Sequence, residues 1–317
     1  MTLKEIYHFF VQEGMKEDLR TPKQINQNLL DKKHVLKQQS RKLKKFFDKE
    51  DFSNPYADTR ILYGDPHAVV RRILVGIDME VGELLLADRL SREGKEIDLV
   101  LAHHPEGHAL AGLHEVMDLQ ADILVNLGVE KQVAKDLMEK RVEEVTRGLH
   151  SINHMRSLDA ARLLNIPFLC CHTPSDNHVA HYLQRLFDRR KPKTLGHVID
   201  LLLQEPEYQT AVKDKAGPKI LIGDAKDPAG KIFVDMTGGT EGSKEIFARL
   251  SQLGIRTVVG MHFSEAHFTK MKTEYIHVIN AGHIASDNLG MNLLLDKLQR
   301  KTEVEIIECS GFRRIKR

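Results

Sequence analysis

Tryptophan is absent from this chain of 317 residues, aromatic side chains make up 6% of it, and it has three cysteines. Cys170 and Cys171 are adjacent and Cys309 is distant, so neither a disulfide framework nor a spaced thiolate zinc site can form. A reduced, cytoplasmic setting is expected. No window approaches the roughly eighteen apolar residues of a membrane helix. The opening stretch MTLKEIYHFFVQEGMKEDLR carries acids in its first turns, which argues against a secretory signal. A formal charge of +2 leaves no global basic field to attract nucleic acid. What is abundant is histidine, seventeen in all. Imidazole is the commonest metal ligand and titrates near neutrality, so their positions matter. The hydrophobic content of 41% and charged content of 29% describe a chain able to bury a large core.

The first seventy residues read as helical and polar, with one helix around Leu3 to Gln12 and a longer one from Thr21 to Asp48. The second holds a charge run, Lys32, Lys33, Lys37, Arg41, Lys42, Lys44 and Lys45, without the interleaved aromatics of a base-stacking surface. A solvated or subunit-facing helix is the simpler reading, and a nucleic-acid partner is not expected. From Arg72 the pattern turns α/β. Strands are expected at 73–77, 98–102, 166–171, 220–222, 232–234, 256–259, 275–279 and 304–307, with amphipathic helices between them. The boundaries expected are 1–66 for a helical N-terminal extension, 67–190 for a first α/β lobe and 191–317 for a second. ILVGID and KIFVDM each open a strand, acid, helix, strand, histidine series, so two similar half-sheets could face one cleft.

Three clusters sit where strands run out, the end of a parallel sheet that binds ligands. His103-His104-Pro105 follows the second strand, with Glu106 and His108 near enough to orient a ligand ring. The plain alternative is a pair of loop histidines. His172-Thr173-Pro174-Ser175-Asp176 follows the third strand; here Asp176 is either a helix-capping acid or a metal carboxylate. Gly282-His283-Ile284-Ala285-Ser286-Asp287 places His283 and Asp287 at i, i+4, on one face of a helical turn. Such a pair alone is commonly a surface contact, but three strand-end clusters of one chemistry point to a shared site. With no cysteine among them, these mixed nitrogen and oxygen donors suit zinc, iron, manganese or nickel better than calcium. Thr237-Gly238-Gly239-Thr240-Glu241-Gly242-Ser243 could cradle an anion or simply turn. His262 and His267 flank Glu265 after the next strand and could orient substrate or exchange protons. No GxSxG elbow is present.

Taken together, ILVGID, DLVLAHHP, HTPSD, TGGTEGS and INAGHIASDNLG resemble the Nif-three-like family, often described as GTP cyclohydrolase 1 type 2 homologues. The resemblance implies an α/β, two-lobed fold with a dinuclear metal cleft between the lobes, assembled as a ring-like homo-oligomer such as a hexamer. It also implies His103, His104, Asp176, His283 and Asp287 as ligands of two divalent ions, with His172 at the edge. Asp287 stands where the family usually has glutamate, which sets its carboxylate back by about 1.5 Å. The leading expectation is a metal-dependent hydrolase acting on a small anionic or nucleotide-like molecule, with His172 or His267 as proton carrier. The alternatives are a non-enzymatic metal-delivery protein and a protein-interaction or transcription-linked regulator. On the last reading, removing residues before Asp58 should leave metal content and hydrolysis intact.

Overall fold

The computed structural model describes residues 1–317. Nine strands form two sheets: β1 (Thr59–Tyr63), β2 (Arg72–Gly76), β3 (Leu99–Ala102), β4 (Phe168–Cys171), β5 (Lys219–Ile222), β6 (Lys231–Asp235), β7 (Ile255–Gly260), β8 (His277–Asn280) and β9 (Glu305–Glu308). The helices before β4 are α1 (Leu3–Glu17), α2 (Pro22–Gln38), α3 (Val81–Arg92), α4 (Gly107–Ala111), α5 (Asp118–Leu127), α6 (Lys131–Leu149) and α7 (Arg156–Leu164). Those after it are α8 (Thr173–Arg190), α9 (Leu195–Leu202), α10 (Pro206–Lys213), α11 (Ile246–Gln252), α12 (Glu265–Thr273) and α13 (His283–Gln299).

The first sheet has the order β1-β4-β3-β2-β9 and the second β5-β8-β7-β6. In each, an antiparallel edge strand leads to three parallel strands in the same relative order. The half-sheet likeness seen in ILVGID and KIFVDM is thus an internal repeat of topology, broken by β9, which returns from the C-terminus to pair with β2. Registers align the carboxyl ends: Gly76 faces Ala102 and Ala102 faces Cys170, while Asp235 faces Gly260 and Gly260 faces Asn280. Side chains alternate across both sheets. Ile73 and Val75 join one apolar cluster and Leu74 another, as expected for strands covered on both faces. The largest cluster combines Val75, Leu101 and Leu169 of the first sheet with Phe233, Val258 and Val278 of the second.

The expected strands from β2 onward are present, but two features of the N-terminal region were not foreseen. Its last residues form β1, which pairs with β4; its five residues TRILY offered too short a run to separate strand from loop. The helix α1 is built into the core, with Leu3, Ile6 and Phe10 fully buried and its length against α8 and α13. A capping box at Thr2 and Glu5 starts it. The long helix expected to Asp48 ends at Gln38, and Ile25 is its only buried residue, so the Lys32 to Lys45 run lies on a mostly solvated stretch. No helix is long and apolar enough to cross a membrane.

Candidate metal centre

Three strand ends deliver the site. His103 and His104 follow β3, where their amides donate to the carbonyls of Gly76 and Ile77 in the neighbouring chain segment. His172 follows β4 and caps α8, which carries Asp176 in its first turn. The equivalent helix α13, after β8, begins at His283 and carries Asp287 one turn on. The helices α8 and α13 pack side by side, so the two His/Asp pairs meet the β3 histidines in one place. Both pairs belong to the same string: HTPSDN and HIASDN share His-x-x-Ser-Asp-Asn.

The distances are distinctive. His103 Nε2 lies 3.4 Å from Asp176 Oδ1 and 3.4 Å from Asp287 Oδ1. On the other side of the same carboxylate, Asp287 Oδ2 lies 3.5 Å from His104 Nε2 and 3.4 Å from His283 Nε2. The two imidazole nitrogens His104 Nε2 and His283 Nε2 are 3.3 Å apart. Such separations are long for hydrogen bonds. They match the edge of a tetrahedral site, about 3.3–3.4 Å for bonds of roughly 2.0–2.1 Å. His103 Nδ1 and Nε2, Asp176 Oδ1 and both oxygens of Asp287 are buried with no hydrogen-bond partner. Leaving such groups unpaired costs on the order of 1–3 kcal/mol each, more when charged, so the donor set fits cations. Three overlapping groups have ligand atoms within 4.8 Å of one another: His103, His104 and His172; His104, His283 and Asp287; His103, Asp176 and Asp287. The Asp287 carboxylate therefore reaches both sides.

Protein charges hold the set in place. Asp78, directly after β2, binds His104 Nδ1 at 2.6 Å. Asp58, fully buried before β1, binds His172 Nδ1 at 2.9 Å and accepts from Thr173 Oγ1 at 2.6 Å. Each turns its histidine's Nε2 toward the cluster, the usual way a carboxylate orients a ligand ring. Neither aspartate carries a sequence signal for this role; Asp78 stands out only as the acid of the half-sheet likeness. The role expected for Glu106 and His108 is not theirs. Asp78 and Asp58 occupy Nδ1 of His104 and His172, Nδ1 of His103 has no partner, and His108 is exposed. Asp176 does lie in the first turn of α8, where a carboxylate is favoured without any ligand, but α8 has no side-chain cap hydrogen bond. Burial pushes the His103 imidazole down to about 4 and the Asp176 carboxyl up to about 8. Although burial opposes its ionisation, Asp287 is held well below the usual carboxylate range by His103, His104 and His283.

The cluster floors a cleft of about 280 Å³ whose opposite wall comes from the second sheet: Asp235, Thr237, Gly239 to Glu241, His262 and Phe263. His262 sits beside His283 with ring centroids 4.8 Å apart. Its Nδ1 is 3.6 Å from Glu241 Oε1, and that carboxylate also accepts from the Ser264 amide at 2.5 Å. His267 lines the cleft but both its nitrogens are engaged, Nδ1 with Ser264 Oγ at 2.7 Å and Nε2 with the Gly242 carbonyl at 3.0 Å. The adjacent cysteines are buried and their thiols pushed upward by burial, as core residues rather than nucleophiles.

No family model matches the chain, and no curated protein does. Among solved structures, a NIF3 superfamily protein from Sphaerobacter thermophilus superposes with a TM-score of 0.69 at 28% identity, covering 80% of this chain and 91% of that one. This likeness supports a NIF3-like assignment for the chain. HcgD from Methanocaldococcus jannaschii is more distant, with a TM-score of 0.48 and 14% identity over 84% of this chain and 94% of that one. A Staphylococcus aureus protein gives 0.43 and 13% over 82% and 91%. In this NIF3-like chain the mixed α/β fold and a His/Asp group able to bind metal occur together.

Proposed function

We propose that this chain is a divalent-metal-dependent hydrolase with two ion positions that share Asp287. His103, Asp176 and Asp287 Oδ1 would hold one ion, and His104, His283 and Asp287 Oδ2 the other. The observation that carries the reading is the split of one buried, unpartnered carboxylate between two sets of imidazole nitrogens at 3.4–3.5 Å. Divalent zinc, iron, manganese or nickel ions bound there would acidify water and polarise the group under attack.

The chain's own residues do the rest. Asp58 fixes the His172 ring so that Nε2 faces the cleft, where it can serve as a further donor or move a proton. His267, with both nitrogens engaged, holds Ser264 and the 237–242 turn in position. The half-exposed His262, backed by Glu241, is the better proton carrier on that wall. The proposal extends to a cytoplasmic, ring-like homo-oligomer, which sedimentation would test.

The experiment is a turnover screen of phosphoesters, cyclic amides and nucleotides in each defined metal, with His103→Ala and Asp287→Ala as controls. Turnover should require metal and fall at least 100-fold in both variants. Turnover indifferent to both substitutions contradicts the proposal, and readily exchanged metal without turnover on any class favours the delivery reading.

A further inference from the structure

Substrate class can be read from the wall that faces the cluster. The cleft is lined by eighteen residues, and none is lysine or arginine. Its cationic capacity therefore resides in the histidines and whatever ions they hold. Two carboxylates outside the metal set look into the space, Asp235 and Glu241. Glu241 is occupied, accepting from the Ser264 amide and facing His262 and His267. Asp235, at the carboxyl end of β6, has no hydrogen-bond donor on it, and burial raises its carboxyl to about 6. Around it the wall is apolar and aromatic: Met236, Met261, Phe263 and, across the cleft, Leu110.

The glycine-rich turn adds no side-chain cation and is pinned through its carbonyls. Gln120 Nε2 donates to the Gly238 and Thr240 carbonyls at 2.7 Å each, and His267 engages that of Gly242. The following helix starts only at Ile246 and is seven residues long. A polyphosphate tail would meet the Asp235 and Glu241 carboxylates without a guanidinium or ammonium to receive it, whereas phosphate sites ordinarily supply arginine forks or lysine.

Resting on the two-ion hydrolase reading, we propose that the cleft takes a small, uncharged ring that presents a ring N–H beside an exocyclic amino group, as a 2-amino-pyrimidinone does. Asp235 would receive those donors, Phe263 and the methionines would cover the ring, and polyphosphate-bearing molecules would be selected against. A carboxylate pairs with two parallel N–H groups in a defined plane, so Asp235 would set the orientation of the ring toward the cluster.

The test uses full-length protein loaded with zinc or manganese, its metal content measured, and calorimetric titration with isocytosine, guanosine and guanosine triphosphate. These probes share one pair of adjacent ring donors and differ in the tail. The expected result is binding of isocytosine and guanosine, at least tenfold weaker binding of the triphosphate, and at least tenfold weaker binding of isocytosine by Asp235→Asn at unchanged metal content. The inference is overturned if the triphosphate binds tightest, if Asp235→Asn binds isocytosine as well as the wild type, or if metal-loaded protein binds no ring. A chain that takes up no metal overturns the two-ion reading together with this one, so the two failures are distinguishable.

Discussion

Asp58 is the residue whose effect on the site is best separated from direct ligation. It touches none of the residues assigned to the two ion positions, yet it fixes the further donor His172 through Nδ1 and ties Thr173 to the same carboxylate. Asp58→Asn exchanges an acceptor for an amide that can present a donor to the ring. Metal affinity in that variant should fall about 10- to 100-fold, measured by competition against a chelator; unchanged affinity would show that His172 needs no orienting partner. Asp235 supports a prediction of opposite sign. Its folded-state carboxyl titrates near 6, above the ordinary aspartate value of 3.8, so ionisation is harder in the folded protein. Stability should therefore fall as pH rises from about 4 through 6 and remain lower above. In Asp235→Asn that loss is removed: its melting temperature relative to wild type should be higher at pH 8 than at pH 4. A pH-independent difference would contradict this. The histidines and aspartates at strand ends were readable in sequence because each lies within a short string after an apolar run. Asp58 was not, since its partner is 114 positions away and only the β1–β4 pairing brings them together.

At the scale of elements, the site depends on how closely α8 can approach its neighbours. A Cβ at Gly290 of α13 would stand 2.4 Å from the Ser175 carbonyl oxygen, one residue before Asp176. A Cβ at Gly14 of α1 would stand 2.6 Å from Pro174 Cβ. Gly290→Ala should cost about 1–3 kcal/mol by overpacking, seen as a lower midpoint in urea, and should reduce metal content by spreading Asp176 from Asp287. Stability and metal content both equal to wild type would mean that this contact does not set the carboxylate spacing. The parallel strands were legible because buried strands read as short apolar runs bounded by turns. The shared His-x-x-Ser-Asp-Asn string was also available in sequence, and with the half-sheet likeness it marks α8 and α13 as equivalent. What sequence did not disclose is that the two helices lie side by side, because no local pattern encodes the packing of elements more than a hundred residues apart.

For the whole molecule, the two sheets bring matching edges to one cleft, and the N-terminal region is part of that construction. Leu3, Ile6 and Phe10 of α1 are fully buried, each contributing roughly 1.5–3 kcal/mol. Asn177 of α8 also donates to the Gly14 carbonyl. Deleting residues before Asp58 should thus destabilise the fold and lower metal content, contrary to the expectation for a detachable extension. A truncated chain that keeps wild-type melting and metal would overturn this. The central claim, that Asp287 joins two ion positions, is tested most directly by metal stoichiometry per chain after loading and desalting, in wild type, Asp176→Ala, His283→Ala and Asp287→Ala. The account predicts close to two ions in wild type, close to one in either of the first two variants, and close to none in Asp287→Ala. A single ion in wild type, or full occupancy in Asp287→Ala, would contradict it.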